Sequence, residues 1–410
     1  GLSEELIQTS RRHSRSSVVR NGRLIPIPDG FSLLGPGRLG PFLASPLFSP
    51  RGKLRALMEW TVPRRQNGSD ESVASFVQRR FGREIFDRLA EPMVGGIASD
   101  DADQLSMQAL LPRFLEMERQ HGSVIRALKA RAKRSTQEED LRMRQGLFAS
   151  FRGGMQVLID RMAGQLPPGS VRLRSRVTCV ERESNEGDWK VQLADGQTLS
   201  ADVVCLALPA YAAADLMRGM DTKLAQELDR IPYASWTTVN LAFRQQQIPR
   251  SLEGFGFVIP TRECRAIAGC TFSHMKFPHR APEGTALLRM FVRCDDSPEC
   301  RLPSDHEAET VACDLLNSLL GIQERPFFSS VFQAPRSLPG YRLGHTARVA
   351  TIQERIRAYP GLALAGNAYH GHGVTNCLRS AQQAAGHLLD VLQACKSKRT
   401  KEWSYASSNG

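Results

Sequence analysis

Apolar residues recur at helical spacing over residues 73–89, where Val73, Val77, Phe81, Ile85 and Leu89 line one face, Ser69 and Asp70 can cap, and Pro92 closes the run. The spacing predicts an amphipathic helix, with Gly95 and Gly96 turning the chain after it. Residues 105–134 repeat the helical period and end basic, at Arg126, Lys129, Arg131, Lys133 and Arg134, which reads as a solvated face. Ahead of them, residues 11–65 are punctuated by seven prolines and read as ordered loop with a short helix over 53–60.

The pattern changes from Phe151. Gly153, Gly154 and Met155 open a helix that runs through Met162 and stops before Pro167 and Pro168. Val171, Leu173, Val177 and Cys179 then alternate with Arg172, Arg174 and Arg176, the period of a strand with one apolar face. Residues 189–193 and 197–199 flank Asp195-Gly196, the dipeptide of a type I′ hairpin. The run 202–208 is too apolar after Asp202 to have an exposed face and predicts a buried central strand. Further strands are predicted over 237–243, 256–260, 266–271, 285–293 and 327–332, with a helix over 307–320, giving a mixed sheet covered by helix on one side.

Near the C-terminus, Leu362 to Ala365 form an apolar run that meets Gly366, then a loop with Gly371 and Gly373. A helix follows, with Leu378, Ala381, Ala385, Leu388 and Leu392 on one face and Thr375 or Asn376 as cap. Such a strand, glycine turn and helix N-terminus lets a planar or anionic ligand approach bare backbone, although an ordinary tight turn reads equally well from the pattern alone.

Composition narrows the classes. A chain of 410 residues, 41% hydrophobic, exceeds one typical domain. The net charge of +12 favours anionic partners, whether acidic small molecules, an anionic membrane surface or nucleic acid. With 7% aromatic residues and no zinc-finger or RNP-like spacing, a nucleic-acid role has little support. Nine cysteines without a C-x-x-C pair read as reduced, mostly buried thiols of a cytoplasmic protein. No run reaches the ~18 apolar residues of a membrane span, and the start, GLSEELIQTS, is polar. His370 and His372 lack the further ligands of a metal site, so no metal is expected. No nucleophile elbow, Walker loop or H-E-x-x-H is present, nor is the G-x-G-x-x-G fingerprint; the glycines at 35, 37 and 40 lack a preceding apolar strand.

Four segments carry a likeness: EPMVGGIASDDADQLSMQALLPRFLEMERQHGSVI at 91–125, FRGGMQVLIDRM at 151–162, LEGFGFVIP at 252–260 and LALAGNAYHGHGVTNCLRSA at 362–381. Together they resemble the oxygen-dependent protoporphyrinogen oxidases, FAD enzymes of the amine-oxidase-like flavoprotein fold, over residues 1–395. The resemblance implies an FAD site in which Arg176 and Val177 meet the adenine, while Gly366, Asn367, His372, Gly373 and Val374 form the flavin-ring corner. It implies a substrate site in which Arg20 faces a propionate, with Gly96, Val258, Thr271 and Phe291 around the macrocycle; Thr271 departs from the apolar residue usual there. No catalytic acid or base is assigned.

The implied fold class is mixed α/β: a doubly wound FAD-binding domain, incomplete at its N-terminus because the βαβ unit bearing G-x-G-x-x-G is not in the chain, with an inserted mixed-sheet substrate domain and a helical domain. The expected boundaries are a helical substrate and membrane-associated region over 1–150, FAD-binding parts over 151–235 and 341–395, a substrate sheet over 236–340 and a disordered tail over 396–410. The implied activity is oxidation of protoporphyrinogen IX to protoporphyrin IX with O2 as acceptor. Oxidation of coproporphyrinogen III and an inactive, tetrapyrrole-binding fragment stay open beside it. The expected setting is cytoplasmic, with peripheral contact to the cytoplasmic face of a membrane and a homodimer as further expectations.

Overall fold

The computed structural model describes residues 1–410 except 11–14, 67, 99, 135–147, 183–187, 294–301 and 409–410. The described strands are, in chain order, β1 (Leu6–Gln8), β2 (Ser17–Arg20), β3 (Arg23–Pro26), β4 (Ala149–Phe151), β5 (Val177–Arg182), β6 (Trp189–Leu193) and β7 (Thr198–Ala201). They continue as β8 (Val204–Leu206), β9 (Tyr233–Arg244), β10 (Gly256–Val258), β11 (Ile267–Phe272), β12 (Thr285–Arg293), β13 (Phe328–Pro339) and β14 (Leu362–Leu364). Internal contacts divide the chain into unit 1, residues 1–167 with 233–343, and unit 2, residues 168–232 with 344–410.

Unit 1 is built on a seven-stranded sheet of order β13-β9-β12-β11-β10-β2-β3, antiparallel except for the parallel pair β10 and β2. Its register divides the side chains cleanly. One face carries Val19, Val239, Leu241, Phe257, Cys270, Phe272, Leu288, Met290 and Val292, and the helix Asp305–Leu320 covers it with Ala308, Ala312 and Leu316. That helix opens on a capping box between Ser304 and Glu307. Val18, Ile25 and Val258 face the other way and pack into a second core with Phe42, Phe76, Phe81, Leu89 and Met107 from residues 30–134.

β2 and β3 are absent from the sequence reading, which treats 11–65 as loop. Asn21 and Gly22 both take positive φ, 50° and 68°, so the hairpin signal was present as Asn-Gly and was hidden by the surrounding prolines. The helix from Val73 stops at Gly82 (φ 91°) rather than running to Pro92. A π-helical stretch, Phe86–Ala90, then leads into the helix Glu91–Ala98, so Pro92, Gly95 and Gly96 lie inside helix instead of ending it. The π turn re-pairs the backbone around the proline, which cannot donate.

Unit 2 is mixed as well, with a parallel pair, β8 and β14, and an antiparallel sheet β5-β6-β7. Residues 171–176 are not strand: Arg174 takes φ 58°, and pairing with β6 starts at Val177. The β6–β7 turn is not type I′. Only Gly196 has positive φ, and the Gln197 N–H bonds the Asp195 carboxylate at 3.0 Å, so the loop is a three-residue turn with glycine in the left-handed position. β8 is edge-like rather than fully buried, since Cys205 is exposed. Of the described thiols, all free, only Cys270 is buried, which corrects the expectation of mostly buried cysteines. The final helix spans Val374–Ser408, where the sequence reading expected a disordered tail. Pro and Gly are absent from 396–408, so nothing in that stretch breaks the helix that leads into it.

Candidate functional site

The first set of functional positions lies in unit 2. β14 delivers the chain to Gly366 (φ 132°), whose N–H bonds Ser380 Oγ at 3.1 Å. The loop returns through Gly371 (φ 111°) and Gly373 (φ 92°) to the helix beginning at Val374. Asn376, in the first turn of that helix, donates from Nδ2 to the His372 carbonyl at 2.8 Å. A Cβ on Gly371 would stand 2.6 Å from Asn376 Nδ2, so glycine is required there for both conformation and space. At Gly373 the same test meets nothing within 4 Å, and at Gly366 only Leu208 O at 3.9 Å. With Leu208, Val374 and Leu378 exposed beside it, the corner presents bare backbone and apolar edges, the surface that suits a flat ring system. The first-turn N–H groups of the helix give this corner a positive end.

Two histidines of the corner differ in setting. His370 meets Gln353 Nε2 at 2.6 Å and is held below its usual range by burial. His345, 2% exposed at the start of the helix His345–Ile356, is pushed down to about 4 by burial first, with Arg348, His372 and His370 adding to the effect. Arg176 and Val177 stand at the entry to β5, where the Arg176 carbonyl accepts the Ala194 N–H at 2.8 Å. Asn367 follows Gly366 in the loop.

The second set lies in unit 1. Arg20 ends β2, Val258 ends β10, Thr271 lies on β11 and Phe291 on β12. The pairs Val18 with Val258, Val258 with Gly269, Gly269 with Phe291 and Thr271 with Arg289 put all four side chains on one face of the sheet. Trp236 meets the Phe291 ring edge-on at 6.3 Å. Arg20 donates to the carbonyls of Pro46 and Leu47, the latter at 3.1 Å, and Arg88 donates to the same Leu47 carbonyl. Gly96 lies in the helix Glu91–Ala98, which packs on β10 and β11; Glu91 in its first turn accepts from Thr261 Oγ1 at 2.5 Å. The residues assigned to cofactor thus all belong to unit 2, and those assigned to substrate all belong to unit 1.

Sequence reasoning missed the polar core beneath this face. Arg80 is fully buried with its guanidinium on Glu59 (3.2 Å) and Glu118, while Arg79 bridges Glu71 and Glu118 at 2.8 Å each. The charge run RR at 79–80 was the available signal, read only as part of an amphipathic helix. It missed Arg289 too, which donates from Nε to Asn240 Oδ1 at 2.8 Å across β12 and β9.

A family model for flavin containing amine oxidoreductase matches residues 1–389. Coproporphyrinogen III oxidase of Bacillus subtilis is 31% identical over 395 residues, covering 96% of this chain and 82% of that protein. Protoporphyrinogen oxidase of Homo sapiens is 29% identical over 405 residues, covering 95% and 82%. A solved structure from an Exiguobacterium species, provisionally assigned as a protoporphyrinogen oxidase, superposes with TM-score 0.78 at 26% identity, covering 97% of this chain and 83% of its own.

Proposed function

The chain belongs to the flavin-containing amine oxidoreductase family, its cofactor is FAD, and from that premise we propose that it oxidises a porphyrinogen to the corresponding porphyrin, with O2 as final acceptor. The observation that carries this reading is the common sheet face of Arg20, Val258, Thr271 and Phe291. A flat macrocycle lies against Val258 and Phe291, and a carboxylate arm reaches the Arg20 guanidinium, whose anchoring by the Pro46 and Leu47 carbonyls keeps it oriented. Thr271 adds a hydroxyl where an apolar group would serve equally, and Gly96 lets its helix approach the ring closely.

Arg176 and Val177 would hold the adenine through their backbone. Gly366, Asn367, His372, Gly373 and Val374 would hold the flavin ring, where the positive end of the helix beginning at Val374 would favour the negative charge that reduction brings. When bound, FAD would supply the hydride acceptor for the ring-bridging carbons, two electrons per turn and three turns per porphyrinogen, with O2 as the oxidant that restores it and forms hydrogen peroxide. This chain's residues would orient the substrate and bias the ring; His345, buried and held neutral at physiological pH, adds no charge of its own to the corner.

The reading is tested on the FAD-loaded, full-length protein. Mixed anaerobically with protoporphyrinogen IX or coproporphyrinogen III, it should lose flavin absorbance, porphyrin fluorescence should follow only when air is admitted, and Arg20→Ala should raise KM by about tenfold, the worth of one charge-assisted contact. Flavin that stays oxidised with both porphyrinogens but is bleached by an amine overturns the proposal.

Membrane contact belongs to the same reading. The helix Pro50–Leu57 and the turn after it expose Leu54, Met58 and Trp60, with Lys129 Nζ 4.6 Å from the Trp60 ring. An apolar rim with adjacent cations suits an anionic bilayer surface.

A further inference from the structure

In unit 1 the arginines of the buried network are matched by acids, Arg79 and Arg80 to Glu59, Glu71 and Glu118, and Arg342 is matched to Asp100. Three other cations of the unit depart from that rule. Arg289 stands on the same sheet face as Thr271 and Phe291, directly opposite Thr271 on one side and Asn240 on the other. Lys276, at the end of the short helix Ser273–Lys276 that follows β11, places Nζ 4.3 Å from the Phe148 ring. Arg280 is tied to the neighbouring β4 by bonds to Ser150 Oγ at 2.9 Å and the Phe151 carbonyl at 3.1 Å.

Among the described residues no carboxylate pairs with any of the three. They feel each other instead: Arg280 depresses the basicity of Arg289, and Arg289 that of Lys276, in each case after the larger effect of lost solvent. Like charges gathered without counter-ions are unfavourable by themselves, and protein and ligand together remove that cost when the ligand supplies the anion. Three strand spacings across the sheet and four residues along it, about 20 Å between Cα positions, separate Arg289 on β12 from Arg20 on β2, a span that the two long side chains shorten. A macrocycle with one acid arm on Arg20 therefore points acid arms of its opposite rim toward Arg289.

We propose that Lys276, Arg280 and Arg289 form a second carboxylate subsite on the substrate face, which makes coproporphyrinogen III, with two more carboxylates, the preferred substrate over protoporphyrinogen IX. Arg289, held by Asn240, supplies the directed guanidinium. Lys276 and Arg280 supply charge from fixed positions. The inference rests on the porphyrinogen reading above and narrows it.

The test compares kcat and KM for the two porphyrinogens in FAD-loaded, full-length protein, together with binding of coproporphyrin III and its tetramethyl ester by porphyrin fluorescence. The unsubstituted protein should favour coproporphyrinogen III and bind the free acid at least tenfold more tightly than the ester. Arg289→Leu should lower the coproporphyrinogen-to-protoporphyrinogen ratio of kcat/KM at least tenfold, chiefly through KM, and Arg289→Lys should restore most of it. Lys276→Gln, on a half-buried side chain outside the sheet, should move the ratio the same way and covers the case in which Arg289→Leu fails to fold. An unchanged ratio in both variants, or equal losses on both substrates, overturns the subsite while leaving porphyrinogen oxidation standing; failure of the unsubstituted protein to oxidise either porphyrinogen overturns both.

Discussion

His345 shows how a single residue registers its surroundings. Buried, and facing Arg348, His370 and His372, it has a folded-state value of about 4 against the ordinary 6.5. The unfolded chain therefore binds the proton more readily between those values, so His345 contributes its full stability above pH 6.5 and loses it progressively as pH falls toward 4. By pH 5 the loss amounts to about 2 kcal/mol. Thermal melts from pH 7 to 5 should show the melting temperature falling by several degrees, and His345→Gln should flatten that slope by half or more. His370 shifts in the same direction and supplies part of the remainder. A carboxylate such as Asp221, held low by Arg355 against its own burial, acts only at more acidic pH. None of this was legible beforehand, because a histidine in the string RLGHTAR gives no sign of its burial.

Elements were legible where one face repeats and illegible where pairing decides. The helix Asp305–Leu320 and strands β9, β11 and β12 stand near their expected bounds because each alternates or repeats against a single core. The segment 171–176 alternates just as well, yet forms no strand, since alternation describes a possible face and not a partner. Pro92 misled for the converse reason: proline ends an ordinary helix, but the π-helical stretch Phe86–Ala90 absorbs it. Beneath these elements, Arg80 joins Met58–Thr61, Val73–Phe81 and Pro112–His121 through Glu59, Glu118 and the carbonyls of Val62 and Gly122. Arg80→Ala should destabilise the protein by about 3 to 5 kcal/mol, because it leaves the buried Glu59 carboxylate without its cation and Glu118 with Arg79 alone. Chemical denaturation should show a lowered midpoint; a midpoint unchanged within error would mean that water or rearrangement satisfies Glu59.

For the whole molecule, net charge and surface apolarity point toward anionic surfaces. Binding of the full-length protein to phosphatidylglycerol vesicles should exceed binding to phosphatidylcholine vesicles, weaken with added salt, and drop severalfold in the Leu54→Glu, Met58→Glu double variant. Equal sedimentation of variant and parent would place membrane contact elsewhere or nowhere. The runs at 91–125, 151–162, 252–260 and 362–381 were enough to identify the family and the cofactor by resemblance, because a likeness is read residue by residue along local segments. The sequence by itself thus determined fold class, family and which residues to inspect. Only the tertiary structure decided which of them meet. Sheet register set Arg20, Val258, Thr271 and Phe291 on one face and added Arg289, the unpaired state of Lys276, Arg280 and Arg289 emerged from neighbours more than a hundred residues apart in part, and the buried Arg80 network came from packing. Burial, register and counter-ion pairing are properties of distant segments brought together, and no local pattern encodes them.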